Sequence, residues 1–152
     1  MTGNEEFIRG VYRMAEGGVQ DLDGWRDSFT ENGVFADMAG ESFSGPTLGD
    51  AVTRVAGLFP DVRRELLRVN DMGTMVAVEL LIQGTHLGPM PTPAGVLQPT
   101  GKRINVRAAD FFYLRDGKIE TVNRYVTQNN MFAQLGIHPD FGSAVAKAAA
   151  AG

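Results

Sequence analysis

Two long strand-like runs, Lys102 to Leu114 and Lys118 to Thr127, meet at Asp116-Gly117. An Asp-Gly pair between such runs is the strongest short-range hairpin signal a sequence carries, because the tight turn needs positive φ at both central residues. The chain must therefore fold around a long antiparallel pair. Several positions that a core strand would give to aliphatics hold polar residues instead, the pattern of a pocket built on a sheet.

The remaining elements follow from periodicity. Asn4 to Ala15 places Phe7, Ile8, Val11, Tyr12 and Ala15 on one helical stripe, with Asn4 as cap and Glu5 and Glu6 in the first turn. Leu22 to Phe29 reads as a second helix carrying the single Trp, Trp25, and Asn32-Gly33 as a turn. Short strands follow at Val34 to Met38 and Glu41 to Phe43, then a helix from Thr47 to Leu58 that Pro60 stops. Val62 to Asn70 and Met75 to Leu87 are strand-like around a turn at Asp71-Met72-Gly73. Gly88 to Gly101, with Pro89, Pro91, Pro93 and Pro99, reads as a long loop, either a lid over a cavity or a mobile segment. Asn129 to Leu135 forms one or two helical turns ended by Gly136, and the tail from Ser143 to Ala150 is helical or frayed.

Helices first and antiparallel strands afterwards specify an α+β fold, a curved, mainly antiparallel sheet wrapped around N-terminal helices and enclosing a pocket. Residues 1–152 are expected to form one domain, with about 137–152 a C-terminal tail. At this length a domain buries roughly two-thirds of its unfolded surface. The net charge of −4 leaves no basic footprint for nucleic acid. The absence of cysteine excludes disulfides, thiol nucleophiles and thiolate metal sites. With two histidines and no carboxylates at ligand spacing, no metal site is expected. MTGNEEF lacks an apolar leader core, and no run approaches the roughly 18 apolar residues of a membrane span. A cytoplasmic protein without a membrane partner is expected.

Counting back from the turn without a bulge sets Leu114 opposite Ile119, Phe112 opposite Thr121, Asp110 opposite Asn123 and Ala108 opposite Tyr125 on one face. Arg107, Ala109, Phe111 and Tyr113, with Glu120, Val122 and Arg124, then lie on the other, a sheet exterior or a subunit contact. A bulge would exchange the two sets. If the first face is enclosed, burial raises the Asp110 carboxyl above its usual value of about 3.9 and suits it to acid/base work, with Asn123 orienting it or donating to an oxyanion. The alternative is an Asp110 that only hydrogen-bonds backbone or Arg107. If the other face is enclosed, Arg107 and Arg124 become the anion-binding candidates.

His86, at the end of its strand, is a candidate proton shuttle or a structural hydrogen-bonder. His138 reads as a surface residue. Tyr12 and Trp25 are polar-tipped aromatics able to line a cavity or fill the core. Asp37 alternates with apolar neighbours and faces either the cavity or solvent. Met38, Met72, Met75 and Met90 supply an adaptable pocket wall or core filling.

The segments GTHLGPM (from Gly84), PTGKR (from Pro99), ADFFYLRDGKIE (from Ala109) and AQLG (ending at Gly136) resemble the SnoaL-like polyketide cyclase family of the nuclear-transport-factor-2-like superfamily. The resemblance runs from Gly84 to Gly136. It implies a cone-shaped α+β fold and a cofactor-free enzyme of aromatic polyketide biosynthesis that closes a ring by an intramolecular aldol reaction. It also implies a hydrophobic polycyclic substrate and a homodimer or higher homo-oligomer. His86 matches the His of the family's Gly-Thr-His. The family's acid/base aspartate should fall near 124 to 127, where this chain has Arg124, Tyr125, Val126 and Thr127. Asp110 would have to take that role, or the chemistry differs.

The candidate catalytic residues are therefore Asp110, His86 and Asn123, with Tyr12, Trp25, Phe112, Thr121, Tyr125 and Arg107 as candidate substrate contacts. Three functions compete: a cyclase or isomerase, a hydroxylase without bound cofactor in which a substrate anion reacts with oxygen, and a non-catalytic binding protein.

Overall fold

A computed structural model describes residues 2–152. Its main sheet has β1 (Phe29–Asp37), β2 (Glu41–Ser44), β3 (Arg63–Asp71), β4 (Met75–Thr85), β7 (Arg103–Arg115) and β8 (Lys118–Val126), with β5 (Met90–Thr92) and β6 (Gly95–Leu97) forming a separate small hairpin. The order across the sheet is β2-β1-β8-β7-β4-β3. Only β1 and β8 run parallel; every other pair is antiparallel. The expected curved α+β sheet is present.

The helices are α1 (Gly3–Met14), α2 (Leu22–Asp27), α3 (Asp50–Leu58), α4 (Gln128–Gln134) and α5 (Phe141–Ala151). Thr2 caps α1, its hydroxyl accepting the Glu5 N–H at 3.1 Å. Asn4, the expected cap, instead donates to Asp71 and to the Gly73 carbonyl, tying α1 to the β3–β4 turn. Ile8, Val11 and Tyr12 of α1 are buried with Val76, Val78 and Leu80 of β4 and Val122 of β8. Trp25 packs on Phe29 and Phe35 at ring distances of 5.1 and 5.8 Å.

Two expected features differ. Asn32-Gly33 is not a turn: β1 runs through it, with a register shift between Phe29 and Val34. The segment from Gly88 to Gly101 contains the β5–β6 hairpin, closed by Thr92 donating to the Gly95 carbonyl at 2.6 Å. Its prolines obscure it in the sequence, yet a three-residue edge strand needs few ladder donors and tolerates them. The tail forms α5, capped by Asp140 and exposed throughout. Among the described residues no helix is long and apolar enough to cross a membrane.

Candidate functional site

The hairpin at Asp116-Gly117 forms as expected, with φ of +50° and +74° at the two turn residues. Four residues on, its register departs from simple counting. Leu114 pairs with Ile119 but Tyr113 pairs with Thr121, so Glu120 is an extra residue in β8. This bulge moves every later partner by one. Asp110 faces Arg124, not Asn123; Phe112 faces Val122, not Thr121; and Ala108 faces Val126, not Tyr125. Thr121, Asn123 and Tyr125 therefore stand on the outer face with Ala109, Phe111 and Tyr113. Tyr125 is 49% exposed and meets Phe111 edge-on at 5.8 Å. Arg107 is exposed on the same outer face.

On the inner face Asp110 is fully buried and doubly held. Arg124 donates Nε to Oδ1 at 2.8 Å and Nη2 to Oδ2 at 2.7 Å, and the Tyr12 hydroxyl donates to Oδ2 at 2.7 Å. A planar guanidinium fork matches a carboxylate in this way. Burial works against the Arg124 charge, but the field and hydrogen bonds of Asp110 outweigh it and hold its pKa above the usual guanidinium value. Burial, then the Asp110 charge, pushes the Tyr12 hydroxyl well above its ordinary value. The Tyr12 ring also meets Phe112 edge-on at 5.6 Å.

Next to this pair lies a second, half-buried ion pair. Arg64 donates to the Ala15 carbonyl at 2.8 Å and lies 3.5 Å from Glu16. Burial, reinforced by the Arg124 charge, lowers Arg64 to about 10, and burial raises Glu16. Tyr12, Arg64, Asp110 and Arg124 surround a void of about 10 Å³ that Trp25 and Phe112 also line. That is room for one water molecule and no more. Trp25 spends its N–H on the Leu48 carbonyl at 2.8 Å.

The ligand-sized space lies on the other side of Arg124. This cavity has a volume of about 550 Å³, and Phe35, Phe59, Ile82, Val106, Met131 and Phe132 supply much of its apolar wall. Met90 and Pro91 of the β5–β6 hairpin also line it, while Met38 and Met72 are exposed. Its charged lining comprises Asp37, Glu41, Arg54 and Arg124. Glu41 and Arg54 pair with each other, and both are more than half exposed. Asp37 and Arg124 are Cα partners across the parallel β1–β8 pair, so their side chains leave the sheet on one face. The Ala39 N–H donates to Asp37 Oδ1 at 2.8 Å.

His86 is fully buried and does not line this cavity. The Thr100 N–H donates to its Nδ1 at 3.1 Å, so the neutral ring carries its proton on Nε2, which has no partner among the described residues. The Phe59 ring, 6.0 Å away, stands beside it. Of the sequence candidates, then, Tyr12, Asp110, Trp25 and Phe112 gather around the small void, while His86, Asn123, Thr121, Tyr125 and Arg107 lie elsewhere. Asp37, which alternation left undecided, and Arg124, which counting without a bulge placed on the other face, both line the cavity. Among the described residues no group of three His, Asp or Glu could hold a metal.

The model of the family described as SnoaL-like polyketide cyclase matches residues 10–135. No curated protein matches the chain significantly. Among solved structures, AclR from Streptomyces galilaeus, provisionally named a hydroxylase, superposes with a TM-score of 0.75 at 20% identity over 97% of each chain. IdmH from Streptomyces antibioticus, provisionally named a polyketide cyclase, gives 0.71 at 23% identity over 90% of this chain and 100% of its own. A protein from Jannaschia sp. CCS1, provisionally named a SnoaL-like polyketide cyclase, gives 0.73 at 20% identity over 90% and 93%. At these identities the likeness is one of fold.

Proposed function

The chain belongs to the SnoaL-like polyketide cyclase family, and from that premise we propose that it is a cofactor-independent enzyme of aromatic polyketide biosynthesis. It closes or isomerises a ring of a hydrophobic polycyclic substrate by aldol chemistry, through general acid/base catalysis within one SnoaL-like domain. The observation that carries this reading is the apolar cavity of about 550 Å³ with the Asp37 carboxylate in its wall. Pockets of this size enclose a small polycycle, and a few placed polar groups fix its orientation.

Asp37 is the base in this reading. Its carboxylate removes a carbon-bound proton beside a substrate carbonyl, and the resulting enolate carbon attacks a second carbonyl of the same molecule. One carbon–carbon bond forms, the attacked carbonyl becomes an alkoxide, and the alkoxide recovers the proton from Asp37. No atom or electron enters or leaves. Asp110, with its oxygens taken by Arg124 and Tyr12, is assigned to holding Arg124. Asp37→Asn should lower turnover by about 100- to 10,000-fold while ligand affinity stays near wild type. Unchanged turnover would remove Asp37 from the mechanism.

A second reading draws on Arg124, a cavity-lining cation where the family resemblance places an aspartate. A pocket that stabilises a substrate anion suits hydroxylation: the carbanion adds dioxygen, and a reductase partner supplies two electrons that cleave the peroxide to alcohol and water. Oxygen consumption with a polyketide substrate would select it, whereas a ligand always recovered unaltered would select a binding protein. We also assign a homodimer or higher homo-oligomer, formed through the apolar outer face around Phe111, Tyr113 and Tyr125.

A further inference from the structure

We propose that Arg124 is the oxyanion anchor of the cavity, and that the chain takes its ligand as an enolate or phenolate, drawn from the hydroxyquinones and 1,3-dicarbonyls. The inference rests on the cavity being the ligand site and holds for either chemistry above.

A guanidinium offers five N–H donors in a rigid fork. Asp110 takes two hydrogen bonds from the Nε and Nη2 edge. Nη1, on the opposite edge, has no protein acceptor among the described residues and, unlike Arg64 Nε and His86 Nε2, is not sealed off as a buried unsatisfied atom. Arg124 lines the ligand-sized cavity, so that free edge is what a ligand meets. The Phe35 ring lies 5.3 Å from the guanidinium carbon and limits how far the plane can tilt. Tyr12 fixes Asp110 from behind. A preset donor stabilises developing negative charge without reorganising.

The charges around Arg124 are compatible with an incoming anion. Tyr12 reaches Asp110 from α1, Asp37 stands beside Arg124 on β1, Arg64 approaches from β3, and Asp110 pairs from β7. Two guanidiniums, Arg64 and Arg124, face three carboxylates, Asp37, Asp110 and Glu16, the last paired with Arg64. Arg54 and Glu41 form a separate pair in the cavity wall. An acidic ligand that passes its proton to Asp37 becomes an anion beside Arg124 and leaves the total charge unchanged. Tyr12 and Asp110 are positioning residues here, acting only through Arg124.

The test uses 1,4-dihydroxyanthraquinone, whose anion absorbs to the red of the neutral dye, titrated between pH 6 and 11 in the presence of the full chain. Bound to wild type, the dye should ionise at least one pH unit lower than when free, equivalent to anion binding at least tenfold tighter than the neutral form. The Arg124→Gln/Asp110→Asn double variant removes the cation together with its partner, so no charge is left stranded, and its circular dichroism reports whether it folds. There the shift should vanish while the neutral dye still binds. Arg124→Lys keeps the charge without the fork and should retain part of the shift. Tyr12→Phe should reduce it. A dye that titrates identically bound and free, that does not bind, or whose shift survives the double variant would overturn the proposal. The readout is independent of turnover. A pocket that ionises the dye but converts no polyketide would sink only the enzymatic reading, and turnover with a neutral bound dye would sink only the anchor.

Discussion

Removing one member of the Asp110–Arg124 pair leaves the other as a buried charge without its partner. Asp110→Ala should therefore cost about 3–5 kcal/mol in urea unfolding, whereas Arg124→Gln/Asp110→Asn should cost less than either single loss. A double variant as unstable as the sum of the singles would show that the two residues act separately. Tyr12 adds a pH signature. Burial first, and the Asp110 charge next, hold its hydroxyl protonated well above the usual phenol value. A group with a raised folded pKa stabilises fully below its unfolded pKa, about 10 for tyrosine, and loses that contribution as pH rises through the folded value. Wild type should lose stability above about pH 10 more steeply than Tyr12→Phe; parallel curves between pH 8 and 11 would remove Tyr12 as the cause. Sequence made Asp110 stand out as a carboxylate among apolar strand residues, and the structure buries it. Its partner was hidden because a single extra residue, Glu120, decides whether Asn123 or Arg124 faces it.

At the scale of elements, close approaches of backbone shape the cavity wall. A methyl group built on Gly88 would overlap the Gly57 carbonyl at the end of α3, where the Leu87 and Gly88 N–H groups both donate to the Leu58 carbonyl. Gly88→Ala must push α3 away and should cost about 1–3 kcal/mol while weakening ligand binding through Leu58. Gly57 itself has open space beside it within α3, so Gly57→Ala should stabilise by about 0.5–1 kcal/mol. Melting temperatures of the pair check both signs, and a tolerated Gly88→Ala would mean that α3 moves freely. Strand and helix positions in this fold were largely legible, since periodicity reports burial directly. The β5–β6 hairpin was not, because four prolines between Gly88 and Gly101 mask so short an edge ladder. Nor was the full extent of β1, because Asn32-Gly33 carries a turn signature within a strand whose register shifts between Phe29 and Val34.

The whole molecule uses the two faces of one sheet differently. Helices and the cavity occupy the inner face; the outer face presents Tyr113 and Tyr125, 43% and 49% exposed, beside Phe111. If that face joins two copies, Tyr125→Glu should convert a sedimenting dimer to a monomer with its cavity intact, and a wild type monomeric at every concentration would refute the interface. The cone with its internal pocket could be anticipated from the order of elements and from the family-like segments after Gly84, but the cavity's contents could not. They depend on which side of β8 each residue takes. Ring chemistry in the cavity with Asp37 as base has a direct signature in the mass spectrum of an aromatic polyketide incubated with wild type and with Asp37→Asn. A ring-closed product of unchanged mass from wild type, and none from the variant, is the predicted result. A product heavier by one oxygen atom, a substrate recovered unaltered from wild type, or equal conversion by Asp37→Asn would contradict it.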